Sequence, residues 1–436
     1  MTFEEHGFKK QGFWGILALL IASLALLAAG CGGGDDEEAG GAATTEESTD
    51  DGGGGGETLK IVSDLPLQGS DREQTAQMNN AIRLVLEDAG NQAGDFTIEF
   101  EAFDDSTAAK GAWDEALCAS NARMYAEDDS VVGVIGTYNS GCAAIEIPIL
   151  NEAGVAMVSP ANTAVGLTHE GVGAGEGEPE KYYPSGTRNY ARVVASDDLQ
   201  GKTDAEFFKN DLGVTKVFIL DDKEQYGKGV ADAFENFANE IDLEVVGHEG
   251  WDKNAQNYTA LMTQIKGTGA DGIFLGGIST NNGGQLVRDK VAVLGDNEAV
   301  KLMGSDGFVL TTLFEEAGPE NAEGMYGSAP VIAADNLSGA GEDFVASFEE
   351  KYPGESIQVY TSYAAASAQA LLDAISRSDG SREDIVAKLF ETDIEDGITG
   401  PISFNEDGDP SEGRMSIFVG RDGDWAFEKA AEVSPE

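Results

Sequence analysis

The sequence predicts an α/β protein of two lobes, each a parallel sheet flanked by helices, and three observations carry that expectation. Apolar runs of strand length alternate with helical patterns from Thr58 to about Lys301, and partway along the same alternation starts again. The runs end in turns rich in Gly, Ser, Asn and Asp. With 436 residues, of which 41% are apolar, the chain has enough material for more than one packed core. Strand–helix alternation builds parallel sheets through right-handed crossovers with helices on both faces. Two consecutive sets therefore imply two lobes.

Two segments precede the first strand. Lys9-Lys10 is followed by Phe13 to Leu27, nearly all apolar, and then by Ala28-Ala29-Gly30-Cys31. This reads as a bacterial secretory signal over residues 1–30, similar to a lipoprotein signal with Cys31 as the acylated residue. Ala28 stands where that pattern usually has Leu, and the competing reading is an uncleaved membrane anchor. Residues 31–57 are an acidic, Gly-rich tether with nothing to place in a core. Buried lipid methylenes contribute about 0.8 kcal/mol each, so acylation would hold the body at the cell membrane without spanning it. The expected location is extracytoplasmic. There Cys118 and Cys142 form an even pair in a compartment that permits a disulfide; the alternative is two separate buried thiols.

In the body, Leu59–Val62, Thr97–Phe103, Val131–Ile135 and Val155–Val158 read as strands of the first lobe. Met78, Ile82, Val85, Leu86 and Ala89 mark the apolar face of its first helix. Lys216–Leu220, Leu243–His248, Gly272–Leu275 and Lys301–Met303 repeat the pattern, separated by helices over Asp198–Asn210 and Val230–Ile241. Beyond Ala329 come helices at Phe344–Lys351, Tyr360–Ser376 and Arg382–Glu391, then short strands at Pro401–Phe404 and Met415–Val419. These are too few for a third lobe.

Net charge is −52, from 79 acidic and 27 basic residues. A field of that sign repels nucleic acid and anionic headgroups, so neither is expected as a partner. Of three histidines, none stands beside a plausible nucleophile or in metal-ligand spacing. Gly276-Gly277 and Gly283-Gly284 lack the Gly-Lys-Ser/Thr ending of a phosphate loop. No enzymatic function, cofactor or metal is expected.

In open parallel sheets ligands bind beyond the carboxyl ends of the strands. The turns there are Thr137–Gly141 and Ser159–Thr163 in the first lobe, and Gly276–Asn282 and Gly304–Gly307 in the second. Each alone would serve as an ordinary turn; four in matched positions suit a small zwitterion. Helix starts such as Gly141 and Cys142 offer backbone N–H groups, and Ser140 and Thr163 add hydroxyls for a carboxylate. The Ala161 carbonyl and Asp306, from the opposite lobe, would accept from an ammonium.

These residues carry a resemblance to the binding proteins of branched-chain amino acid ABC transporters, the leucine/isoleucine/valine-binding type I periplasmic family, over roughly Thr58–Phe427. The matching stretches are Val134-Ile135-Gly136 with Ser140 beyond, Val158-Ser159-Pro160-Ala161-Asn162-Thr163, Asp221 to Gly227, Gly276-Gly277, Met303 to Gly307, and Gly400 to Phe404. The resemblance implies two Rossmann-like lobes joined by a three-strand hinge, with residues 58–192 and 329–399 in lobe 1 and 193–328 and 400–436 in lobe 2. It implies that Ser140 and Thr163 bind a ligand carboxylate, that Ala161 and Thr163 share the ammonium with Asp306, and that Tyr226 stacks over the ligand. Tyr138 and Ile278 fall where the family places pocket walls. The family's acid is often Glu, and its first strand-end loop often carries a tyrosine. Here Asp306 is shorter, and that loop instead brings Arg72, Gln74 and Thr75 to the mouth, which weakens the case for a leucine-like ligand. The implied function is capture of a small amino acid, branched-chain or related, by a monomeric lipoprotein for an ABC permease. The alternatives are a lipoprotein that reports to a membrane receptor, and a binder of an amide, urea or a small aromatic acid.

Overall fold

The computed structural model describes residues 56–433. The expected signal, Cys31 and nearly all of the tether lie outside them. Among the described residues no helix is long and apolar enough to cross a membrane.

The first lobe begins with β1 (Thr58–Leu65), α1 (Arg72–Asp88), β2 (Gln92–Ala93) and β3 (Phe96–Asp104). A small hairpin, β4 (Ser106–Thr107) and β5 (Ala112–Trp113), leads into α2 (Glu115–Glu127), β6 (Val131–Gly136), α3 (Ser140–Glu152), β7 (Ala156–Ser159) and β8 (Tyr190–Arg192). The sheet order is β2-β3-β1-β6-β7-β8, parallel apart from β2. Because successive strand side chains point to opposite faces, β1 feeds two cores at once. Ile61 and Leu65 meet Met78 and Ile82 of α1, while Val62 meets Tyr125 of α2 and Ile147 of α3.

The second lobe holds α4 (Asp197–Glu206), β9 (Lys216–Asp221), α5 (Gln225–Glu240), β10 (Glu244–Gly250), α6 (Thr259–Thr268), β11 (Gly272–Gly276), α7 (Gly283–Leu294) and β12 (Lys301–Gly304). It continues through α8 (Thr312–Ala317), α9 (Pro319–Ala322) and β13 (Tyr326–Ala329). The chain then returns to the first lobe with α10 (Ala340–Lys351), α11 (Thr361–Ser376), α12 (Arg382–Phe390), β14 (Asp393–Ile394) and β15 (Ile402–Ser403). The core of α11, from Ala364 to Ile375, packs with α1, and Ile385 and Leu389 of α12 join it. Last come β16 (Gly413–Arg421) and β17 (Asp424–Val433), an antiparallel hairpin that completes the order β10-β9-β11-β12-β13-β16-β17.

Three crossings connect the lobes, and Val193, Pro330 and Pro410 from them line a common crevice. The third falls later than expected. Residues 400–409 stay with the first lobe, because β15 pairs with β14 and the buried Arg192 holds Asp409, Nε to Oδ1 at 2.6 Å. Gly408 also accepts from the Arg192 amide at 2.9 Å. Thr168 and His169 complete that ion-pair knot, at 3.0 and 2.8 Å from Asp409.

Candidate functional site

The loops after β6 and β7 form one wall of a cleft between the lobes. They are tied together before any ligand enters: Ser159 Oγ donates to Thr137 O at 3.0 Å and accepts from the Asn162 amide at 2.9 Å. Asn162 Nδ2 reaches Tyr138 O at 3.0 Å. These hydrogen bonds fix the two loops to one another. Ser140 opens α3 and accepts from the Ala164 amide at 3.3 Å, which leaves its own proton to give. Thr163 Oγ1 is buried beside the equally buried carboxylate of Asp197, whose charged form it favours. The Cys142 amide closes onto Asn139 O at 3.0 Å, so of the two helix-start amides expected here only that of Gly141 is left over.

Behind this wall Cys118 and Cys142 are joined in a disulfide, so α3 is stapled to α2. The β4–β5 hairpin covers its front: Trp113 lies on Gly141 so closely that a Cβ there would meet the ring at 2.7 Å. Gly141 is thus needed for close approach.

The opposite wall comes from the loops after β9, β11 and β12. Asp222 Oδ2 accepts from the Ile278 amide at 3.0 Å and from Asn281 at 2.9 Å, fixing the β11 loop. Ser279 N donates to Gly307 O at 2.9 Å, joining it to the β12 loop. Asp306 sits at the centre, buried in the cleft. Tyr226 donates to Asp306 Oδ1 at 2.5 Å and Tyr360, from the first lobe, to Oδ2 at 2.7 Å. Burial raises the Asp306 pKa above 3.8, against the opposing pull of those two hydroxyls and Gln200. Burial also drives the Tyr138, Tyr226 and Tyr360 pKa values well above 10.0, so all three remain donors at any physiological pH.

Of the eight ligand residues expected, seven line this cleft: Tyr138, Ser140, Ala161 and Thr163 on one side, Tyr226, Ile278 and Asp306 on the other. Arg72 is not brought to it. It is exposed on the first turn of α1, and its neighbour Asp71 takes the buried position. The Tyr226 hydroxyl is engaged by Asp306, Ser305 and the Gly307 amide, so besides lining the cleft it holds the acid. Tyr360 went unpredicted. It lies edge-on to Tyr138, ring centres 6.0 Å apart, and links the lobes through Asp306. The two described histidines are each held between two carboxylates, His169 by Asp198 and Asp409 and His248 by Asp221 and Glu235.

The lobes are closed on one another, leaving about 20 Å³ of free volume in the cleft. That is room for about one water. Admission of anything larger requires the lobes to part about the crossings, a hinge motion in which closure completes the site.

Comparison with known proteins agrees with this geometry. The sequence profile of the family described as periplasmic binding protein matches residues 58–424. A Leu/Ile/Val-binding protein homolog of Brucella abortus is 29% identical over 300 residues, 68% of this chain and 74% of the relative. The solved leucine-binding protein of Thermotoga maritima superposes with a TM-score of 0.73 at 23% identity, covering 86% of this chain and 99% of the other. A solute-binding protein of Rhodopseudomonas palustris in complex with benzoate gives 0.70 at 18% identity, covering 87% and 97%. At those identities the solved structures show the fold alone: two lobes of the type I periplasmic binding protein.

Proposed function

The chain belongs to the periplasmic binding protein family, and from that premise we propose that it is an extracytoplasmic lipoprotein that closes two lobes over a small amino acid and delivers it to an ABC importer. In this reading residues 1–30 are the signal, Cys31 carries the lipid, 31–57 are the tether, and the folded body works as a monomer. Residues 58–192 and 329–409 form the first lobe, with the remainder of the body in the second.

One observation carries the ligand class. Asp306, a buried carboxylate on one wall, shares its cleft with the Ser140 and Thr163 hydroxyls on the other. A zwitterion satisfies both walls. Its carboxylate would take the hydroxyl protons of Ser140 and Thr163 and the Gly141 amide, and its ammonium the Ala161 carbonyl and Asp306. Asp306 would also repel a ligand that brought only a carboxylate, which sets the amino-acid reading above the aromatic-acid one suggested by the benzoate-bound neighbour. Tyr138 and Ile278 would wall the side chain.

The test is a thermal-shift screen of the folded body against amino acids, amides, urea and benzoates. A ligand that binds only the folded state at 100 times its Kd adds about 2.7 kcal/mol. The expected result is a raised melting temperature with one class of amino acid and none with benzoate or urea. Absence of a shift with every amine-carboxylate compound would falsify the reading, and a shift with benzoate alone would replace it. Permease and ATPase genes beside this one would favour transport; a sensor-kinase gene would favour signalling.

A further inference from the structure

Next to Tyr138, whose hydroxyl accepts from Gln74, lies a polar group of side chains that the amino-acid head does not use. Asp71, at the start of α1, is 1% exposed, and its Oδ2 has no hydrogen-bond partner. One helical turn on, Gln74 gives its amide to Tyr138 OH at 2.8 Å, and its buried Oε1 is likewise without a partner. Both unmet atoms are acceptors. From the opposite lobe come two more carboxylates: Glu224, which lines the cleft itself, and Glu316, which is hydrogen-bonded by Ser70 across the gap.

The charges around this point do not cancel. Glu224 has Lys253 at 2.9 Å, on the rim, and accepts from Trp113 Nε1 at 3.4 Å. Arg288 lies near enough to Glu316 to favour its charge. Asp71 has no cation. Burial, and after it the charges of Glu316 and Glu224, push its pKa up to about 7. An acid held in this way is stabilised by any positive charge that enters beside it.

We infer that Asp71, Glu224 and Glu316 form a cation subsite for the ligand side chain, so that the preferred ligand is an amino acid with a basic side chain, of the lysine, ornithine or arginine type. This rests on the amino-acid reading of Asp306, Ser140 and Thr163 and gives that site its specificity. Glu224 lines both the cleft and the adjoining groove, which also carries Trp113 and Lys253, so a long side chain would run toward solvent past it.

The test is calorimetric titration of the whole folded body with L-lysine, L-arginine, L-norleucine and L-leucine, on the wild type, Asp71→Asn and Glu224→Gln. Lysine or arginine should bind about tenfold or more tighter than norleucine, whose chain has similar length without the charge. Asp71→Asn should shrink that gap while leaving norleucine unchanged, and Glu224→Gln, at a less buried position, should do so if Asp71→Asn does not fold. Norleucine or leucine binding as tightly as lysine overturns the cation subsite and leaves the amino-acid reading intact. Equal loss for all four ligands in both variants also overturns it, as the residues would then be structural. If none of the four binds, both readings fall.

Discussion

On the first wall of the cleft, Ser140, Thr163 and the Gly141 amide are donors without formal charge, set in loops that are hydrogen-bonded to one another through Ser159 and Asn162. On the second wall the central group is an ionisable acid, Asp306, gripped by Tyr226 from its own lobe and Tyr360 from the other. Both walls are built from the same device, loops at the carboxyl ends of parallel strands, so topology alone does not set the chemistry. The difference lies in a few side chains at matched positions. In the proposed reading the ammonium of a zwitterion meets Asp306 only when the gap shuts, so that binding and closure would be one event.

Removing the charge should break the asymmetry most completely. Asp306→Ala should weaken amino-acid binding by about 2–5 kcal/mol, more than tenfold, as measured by calorimetry. The ligand-free melting temperature should change little, since relief of a buried carboxylate offsets the lost tyrosine hydrogen bonds. On the first wall, Thr163→Val keeps the shape and deletes a hydroxyl that meets a charged group. A loss of about 1.5–3 kcal/mol is expected, again by calorimetry. An effect there larger than that of Asp306→Ala would reverse the ranking of the walls.

Of the groups that would meet the amino-acid head, acid should act on Asp306. The ligand ammonium favours ionised Asp306, whose pKa is raised above 3.8 by burial, so affinity should hold above that raised value and fall as pH drops through it. The limiting slope is about tenfold per pH unit. Ser140, Ala161 and Thr163 have no titratable side chain to mirror it. Smallest in its effect on affinity is Cys118→Ala with Cys142→Ala. The bridge spans 24 residues and lies behind the first wall, so its loss should lower unfolding stability by about 3 kcal/mol while affinity stays within about twofold.

Much of this fold was legible because the central strands are buried on both faces. Val131–Gly136 is buried throughout, and such a run has few other readings. The site loops were legible by position, after strands in each series. Four features were not. The edge strand β17 alternates polar and apolar residues with much of its length exposed, which resembles a tail. Tyr360 starts an alanine-rich helix whose pattern reports its core face, and nothing local marks a hydroxyl that meets an acid 54 residues away. Arg72 was assigned to the strand-end loop, whereas α1 begins at it and turns successive side chains by about 100°. Asp71 then takes the inward position and Arg72 the outward one. The third crossing moved for a similarly non-local reason, the pairing of Arg192 with Asp409 across 217 residues.

The most direct test of the central claim is calorimetry of the best-bound amino acid beside its deaminated acid and its decarboxylated amine, on wild type and Asp306→Ala. Wild type should bind the intact amino acid at least about 100-fold tighter than either fragment, and the preference over the deaminated acid should collapse in the variant. A deaminated acid that binds wild type as tightly as the amino acid would contradict the account, because the second wall would then not be reading an ammonium.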